Sequence, residues 1–151
     1  MSHHCCTFFG HHDCPDSVKL ALRKVIFDLI ENRDADLFYV GNHGQFDAMA
    51  ASVLKEAKEV FPQMEYAIVL AYMPGTREKE YYVDELVTLL PEGIETVPKR
   101  FAIDWRNRWM LYRADYVVTY VTHAWGGAAK YHELAIRQKK TVFDIADDPI
   151  V

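Results

Sequence analysis

The residues able to bind or react gather in four short segments: Gly10-His11-His12-Asp13, Gly41-Asn42-His43-Gly44-Gln45-Phe46-Asp47, Met73 to Lys79, and Thr122-His123-Ala124-Trp125-Gly126-Gly127. Two of them place glycines where an apolar run gives way to a helical period. A glycine there lets backbone N–H groups approach an anion at the positive end of a helix dipole. Gly10, Gly41, Gly44, Gly126 and Gly127 are therefore expected to shape phosphate-accepting turns. Asp47, three residues past Gly44, suits either the helix dipole or ribose hydroxyls. Lys130 adds positive charge, and Arg106 adds a planar fork that can hold phosphate bidentately. His11, His12, His43 and His123 fall in the same loops, where imidazoles can donate to phosphate or gate binding by protonation. Trp125 adjoins the glycine pair and offers a face on which a base can stack. The dinucleotide fingerprint and the Walker A pattern are both missing: the first loop has one glycine, and no Gly-Lys-Ser/Thr occurs.

His3, His4, Cys5, Cys6, His11, His12 and Cys14 are all potential zinc ligands. If Cys5 and Cys6 lie in a strand, their side chains point to opposite faces and cannot both reach one ion. No metal and no cofactor is assigned on this ground, and the cysteines are read as small buried apolar residues.

The four segments can share one edge only if strands and helices alternate around them, and the hydrophobic pattern alternates in that way. Cys5 to Phe9 reads as a strand, broken by Gly10. Ser17 then stands as an N-cap before Val18, Ala21, Leu22, Val25, Ile26, Leu29 and Ile30, spaced for one helix face. Asp36 to Val40 is a second strand. A second helix from about Gly44 carries Phe46, Met49, Ala50, Val53, Leu54 and Ala57 and stops at Pro62. Tyr66 to Tyr72 is a third strand, Met73-Pro74-Gly75-Thr76 a turn, and Tyr81 to Leu90 a short helix, and whether Met73 to Lys79 folds over the site as a lid stays open. From Phe101 the helical period returns, with Trp105, Trp109 and Tyr112 on one stripe read as an oligomer seam. Asp115 to Val121 is a strand, Ala128 to Gln138 a helix and Thr141 to Ile145 a last strand. Continuous apolar strands separated by helices define an α/β fold, a Rossmann-like three-layer sandwich on a mostly parallel sheet in a single domain spanning 1–151. Ligands in such folds bind outside the carboxyl ends of the strands, where the strand order reverses.

Composition agrees with one core: the chain has 151 residues, half of them apolar, enough to bury roughly 70% of the unfolded surface. With 17 Lys+Arg against 22 Asp+Glu, the net charge of −5 gives no generic attraction for phosphate backbones or anionic membranes. The expectation is therefore a partner that is neither a nucleic-acid polymer nor a membrane. The apolar runs are far shorter than the ~20 residues of a membrane span, and three cysteines make no disulfide framework, so the reading is cytoplasmic.

Thr7-Phe8-Phe9-Gly10-His11, Gly41-Asn42-His43-Gly44-Gln45-Phe46-Asp47, Arg106-Asn107-Arg108-Trp109-Met110 and Ala114-Asp115 through Gly126-Gly127-Ala128 together resemble the SLOG superfamily of Rossmann-like nucleotide-binding domains, in its small single-domain YpsA-like branch. The resemblance covers nearly the whole chain. It implies that a nucleotide or nucleotide-derived signalling molecule, such as an ADP-ribose derivative, is sensed or sequestered at that edge, by a homodimer or larger homo-oligomer. A finer likeness is to the LOG phosphoribohydrolases, which cut the N-glycosidic bond of nucleoside monophosphates. Arg106, Met110 and Asp115 match the spacing of their Arg-Lys-x-x-Met and Asp elements, and Trp125 through Glu133 overlies their Pro-Gly-Gly-x-Gly-Thr-x-x-Glu. That alternative puts Arg106 and Glu133 at catalytic positions. Trp125, Ala129 and Lys130 depart from the signature's proline, glycine and threonine, where the backbone must come closest to phosphate. Binder, hydrolase and structural interaction module all stay open at this level.

Overall fold

The structure is a computed structural model that describes residues 3–72 and 87–146. Strand β1 (Cys5–Gly10) leads through α1 (Val18–Arg33) to β2 (Leu37–Val40), then through α2 (Gln45–Val60) to β3 (Glu65–Val69). A two-residue β4 (Thr88–Leu89) follows, then α3 (Lys99–Arg113), β5 (Tyr116–Tyr120), α4 (Gly127–Arg137) and β6 (Thr141–Asp144). All five pairings are parallel, in the order β4-β3-β2-β1-β5-β6. The chain builds outward from β1 on one side, then crosses back to lay β5 against the other side of β1. The order reverses there, so the loops leaving β1 and β5 diverge into a crevice.

Period-two alternation sends β1 to both faces. Cys6 and Phe8 join Phe38, Val40 and Val118 in a core covered by Leu22, Ile26 and Leu29 of α1 and by Val53 and Leu54 of α2. Phe9 joins Val69 and Val117 in the opposite core, under Met110 and Leu111 of α3 and Tyr131 and Ala135 of α4. The fold is thus the expected α/β, Rossmann-like sandwich.

Three local expectations change. Ser17 sits at the N-cap of α1 but its side chain makes no capping bond. Strand β3 ends at Val69 rather than Tyr72. Leu70 still donates its N–H to Leu89 O at 2.8 Å. The helix expected from Tyr81 to Leu90 lies partly outside the described residues, as does the whole proposed lid of 73–79. Where it is described, Thr88–Leu89 is instead an edge strand paired with Ile68 and Val69, because an open sheet edge offers the backbone more than an isolated short helix does. On the stripe read as an oligomer seam, Trp105 and Trp109 are half-buried, Trp109 with an edge-to-face contact to Tyr39 and Arg113 over its ring, and Tyr112 is exposed.

Candidate functional site

A cleft of about 640 Å³ opens at the carboxyl ends of β1 and β5. Gly10, His11, His12 and Asp13 line it from the first loop, His43 and Asp47 from the second, and Thr122, His123, Gly126 and Gly127 from the last. Helices α3 and α4 supply Asp104, Arg106, Asn107, Lys130 and Tyr131. Most of the residues singled out in the sequence therefore do converge. Three of the predicted contacts do not line it: Gly41 sits behind Arg106, Gly44 behind His12, and Trp125 stands at the rim. Glu133 is exposed on α4, outside the cleft.

Gly10 is glycine for a packing reason, since any Cβ there would overlap the Phe46 ring of α2. Gly44 and Gly126 are glycine for a conformational one. Each is the N-cap of its helix, with φ 94° and ψ 172° at Gly44 and φ 94° and ψ 175° at Gly126, a region open to little but glycine.

The two corners are nevertheless occupied differently. At α2, Gln45 N–H donates to His12 O at 2.8 Å, and Gln45 Oε1 accepts the Cys14 N–H at 2.9 Å. Asp47 Oδ2 accepts the His43 N–H at 3.0 Å. Burial pushes the Asp47 carboxyl up to about 6, against the pull of that N–H, Arg106 and His12. A carboxylate and a carbonyl thus stand where an anion would have to sit. At α4, a Cβ on Gly126 would come no nearer than 3.9 Å to His123, and one on Gly127 no nearer than 4.0 Å to Tyr131, so the corner is open to the cleft.

Arg106 is 1% exposed. Its Nη1 donates to Asn42 Oδ1 at 2.9 Å and Val69 O at 2.8 Å, its Nε to Asn107 Oδ1 at 2.8 Å, and its Nη2 lies 3.2 Å from His43 Nδ1. An arginine only donates, so His43 Nδ1 accepts, and its Nε2 carries the hydrogen toward Tyr72, 3.4 Å away. The guanidinium thus ties the loop after β2 and the last residue of β3 to α3.

Also on α3, Asp104 accepts from Arg108 at 2.9 Å, Lys130 at 2.9 Å and the Tyr131 hydroxyl. Burial would raise this carboxyl, but the three hydrogen bonds outweigh it and hold it down at about 2. Burial and then Asp104 push the Tyr131 phenol well up. Asp104 was not among the residues singled out in the sequence, although its spacing of four from Arg108 could have marked it.

At the mouth, three rings stack face to face: His11 on His123 at 3.8 Å and His123 on Trp125 at 3.9 Å. Trp125 is 71% exposed, so the ladder ends in solvent. His11 Nε2 accepts the Thr122 N–H at 2.9 Å, which fixes its ring, and Tyr120 meets it edge-on. Burial, and then His123, lowers the proton affinity of His11. His123 Nδ1 is buried and has no hydrogen-bond partner among the described residues. Such an atom costs about 1–3 kcal/mol when left unsatisfied.

The fold and site define a class, a Rossmann-like α/β protein with its cleft at the strand-order reversal. No protein-family model matches the sequence, and no curated protein matches it. Among solved structures, DNA processing protein A (DprA) from Streptococcus pneumoniae shares the fold with TM-score 0.69 at 15% identity, over 94% of this chain and 50% of that one. A structure of DNA processing protein A from Helicobacter pylori, which addresses its single-stranded DNA binding mode, matches with TM-score 0.60 at 12% identity, over 95% of this chain and 65% of that one. The chain spans between half and two-thirds of these proteins.

These neighbours correct two expectations. The fold is that of DNA processing proteins, one with a described single-stranded DNA binding mode, which points away from a nucleotide-derived signal and from phosphoribohydrolysis. The exclusion of a nucleic-acid polymer falls with them. A net charge of −5 is an average over the chain and does not govern a cleft whose walls carry Lys130 and an open helix N-terminus. The hydrolase reading also lacks its geometry, with Arg106 donating to protein groups and Glu133 outside the cleft.

Proposed function

We propose that this chain is a SLOG-like domain that binds a short segment of single-stranded nucleic acid at its carboxyl-edge cleft. The observation that carries the reading is the His11–His123–Trp125 ladder, rising from the cleft to an exposed indole. Stacking of a base on an aromatic face contributes ~1–3 kcal/mol and tolerates any sequence. The open N-terminus of α4, beside Lys130, accepts a phosphodiester next to the stacked base. Trp125, Gly126, Gly127, His11 and Lys130 are the contacts in this reading. Gly10, Gly41, His43, Gly44, Asp47 and Arg106 shape and brace the loops.

The acidic surface limits the footprint. A cleft of about 640 Å³ lies within the ~300–1,000 Å³ range of small-ligand sites, which suits a few nucleotides rather than a long track. Few phosphates are then neutralised, and because log affinity falls with log salt by ~0.7 per phosphate for single strands, the salt dependence is shallow. Fluorescence anisotropy of a labelled oligodeoxythymidine at low salt, with duplex DNA as competitor, tests this. Single strands are expected to bind in preference to duplex, and Trp125→Ala to weaken them about fivefold or more. Absence of single-strand binding, or binding indifferent to Trp125→Ala, overturns the reading.

A further inference from the structure

We infer that a strand leaving the cleft continues over the solvent face of α3, where Arg100 and Arg108 hold its phosphate backbone and Tyr112 stacks on a base. The inference rests on the single-strand reading and extends it, because the cleft alone admits only a few nucleotides.

Charge is spread unevenly over the two helical layers. Helix α3 carries five cations, Lys99, Arg100, Arg106, Arg108 and Arg113, against one acid, Asp104, in a chain whose net charge is −5. Arg106 is buried, and the other four cations are exposed. On the opposite layer α1 and α2 together hold six cations and five acids. Two of those cations converge on one of the acids, Lys19 and Arg23 reaching Glu56 at 3.3 and 3.0 Å, and Glu59, Glu31 and Asp28 offset others. On α3 the single carboxylate is itself divided, since Asp104 pairs with both Arg108 and Lys130 at 2.9 Å. One negative charge there answers two positive ones, and Arg100 and Arg113 add to the excess. An uncompensated row of this kind attracts a polyanion, whatever the sign of the whole chain.

The placement connects that row to the cleft. Arg100, Asp104, Arg108 and Tyr112 follow one another at intervals of four, so they share one side of the helix and span ~18 Å along it. Asp104 also lines the cleft, with Ile103 and Asn107, so the row crosses the rim. Phe101 and Tyr112 are 52% and 79% exposed, which sets aromatic faces among the guanidinium groups. Cations that track a backbone, interleaved with rings that take bases, are what an unpaired strand binds. A second copy of this chain fits the face less well, because an isologous contact centred on α3 would bring like charges together.

The test uses anisotropy of oligodeoxythymidines of about 3 and about 12 nucleotides, titrated from about 50 to about 200 mM salt. Each phosphate neutralised on a single strand contributes ~0.7 to the slope of log affinity against log salt. On the longer strand Arg100→Gln/Arg108→Gln should lower that slope by ~1.4, whereas Arg100→Lys/Arg108→Lys, which keeps both charges, should retain it. Tyr112→Ala should weaken the longer strand about fivefold or more. The shorter strand should bind the glutamine pair and Tyr112→Ala as it binds wild type. Arg23→Gln/Lys24→Gln, an equal loss of charge on α1, should leave both strands unaffected, and thermal melting checks that every variant is folded. A longer-strand slope that the α3 glutamine pair does not move, or that the α1 pair lowers equally, overturns the inference and leaves the cleft reading standing. Longer-strand binding indifferent to Tyr112→Ala does the same, as does a homodimer, seen by sedimentation, that Tyr112→Ala separates. Failure of wild type to bind either strand overturns both readings.

Discussion

Gly44 and Gly126 open helices on opposite faces of the sheet with almost the same backbone, φ 94° and ψ 172° against φ 94° and ψ 175°. The first corner is filled from within by the His12 carbonyl and the Asp47 carboxyl. The second faces the cleft, where the nearest described atom beyond its own chain neighbours, on His123, lies 3.9 Å from where a side chain would begin. A glycine turn between a parallel strand and a helix therefore reports how the chain must bend, and the neighbouring loops decide whether its amides serve a ligand. One structure contains both outcomes, so each corner is a control for the other.

The largest effect is expected at the closed corner. Arg106→Ala removes a buried guanidinium and its hydrogen bonds to Asn42, His43 and Val69 O, at a cost of ~3–5 kcal/mol in urea unfolding. A loss below about 1 kcal/mol would mean that Arg106 is not a brace. Next comes the pair of glycines. Both alanine variants meet the ~1–3 kcal/mol strain of this backbone region, but in Gly44→Ala the new methyl also lies 2.8 Å from the His12 Cα. Gly44→Ala should therefore lose at least about 1 kcal/mol more stability than Gly126→Ala, whereas Gly126→Ala should lose more strand affinity. Equal losses on both measures would break the distinction between the corners.

A smaller effect follows from Asp47. Its folded carboxyl is raised from an ordinary 3.8 to about 6, so the folded state favours the proton. The corresponding stability is fully present below the unfolded value and is lost as pH rises through about 6, by on the order of 2 kcal/mol once partial exposure is allowed for. Asp47→Asn should flatten this fall in denaturant titrations across that window, and an unaltered profile would refute the assignment. The smallest effect lies at the open corner. Lys130 is exposed and its pair with Asp104 is a surface one, so Lys130→Ala should leave stability within about 1 kcal/mol of wild type. The same variant should weaken oligonucleotide binding a few-fold.

The sequence made the frame of this comparison readable and left its outcome hidden. Strand and helix order followed from hydrophobic period, and both glycine corners were marked by residue type alone. Whether a corner is closed depends on His12, Asp47 and Arg106 arriving from three different loops or helices, and no local pattern encodes that meeting. Beside Trp105 and Trp109, Arg106 reads from the sequence as a phosphate-holding fork or a stacked surface arginine, and nothing local marks it as buried. Asp104 escaped notice because Lys130 and Tyr131 reach it from another helix. Thr88–Leu89 was read as helical because a two-residue edge strand leaves almost no period to detect. Net charge misled for a related reason: summing over the chain erases where each charge sits.

The three thiols have a practical consequence. Cys5, Cys6 and Cys14 are 3%, 0% and 4% exposed, and burial pushes Cys5 up to about 12, Cys14 up to about 11 and Cys6 well above the ordinary thiol range. Only thiolates react readily with alkylating reagents, so an intact molecule should ignore iodoacetamide while one that has come open is tagged. Cys5 and Cys6 lie in the central strand and Cys14 in the loop ahead of α1. The order in which they become labelled would then clock how this protein comes apart from its rim to its middle.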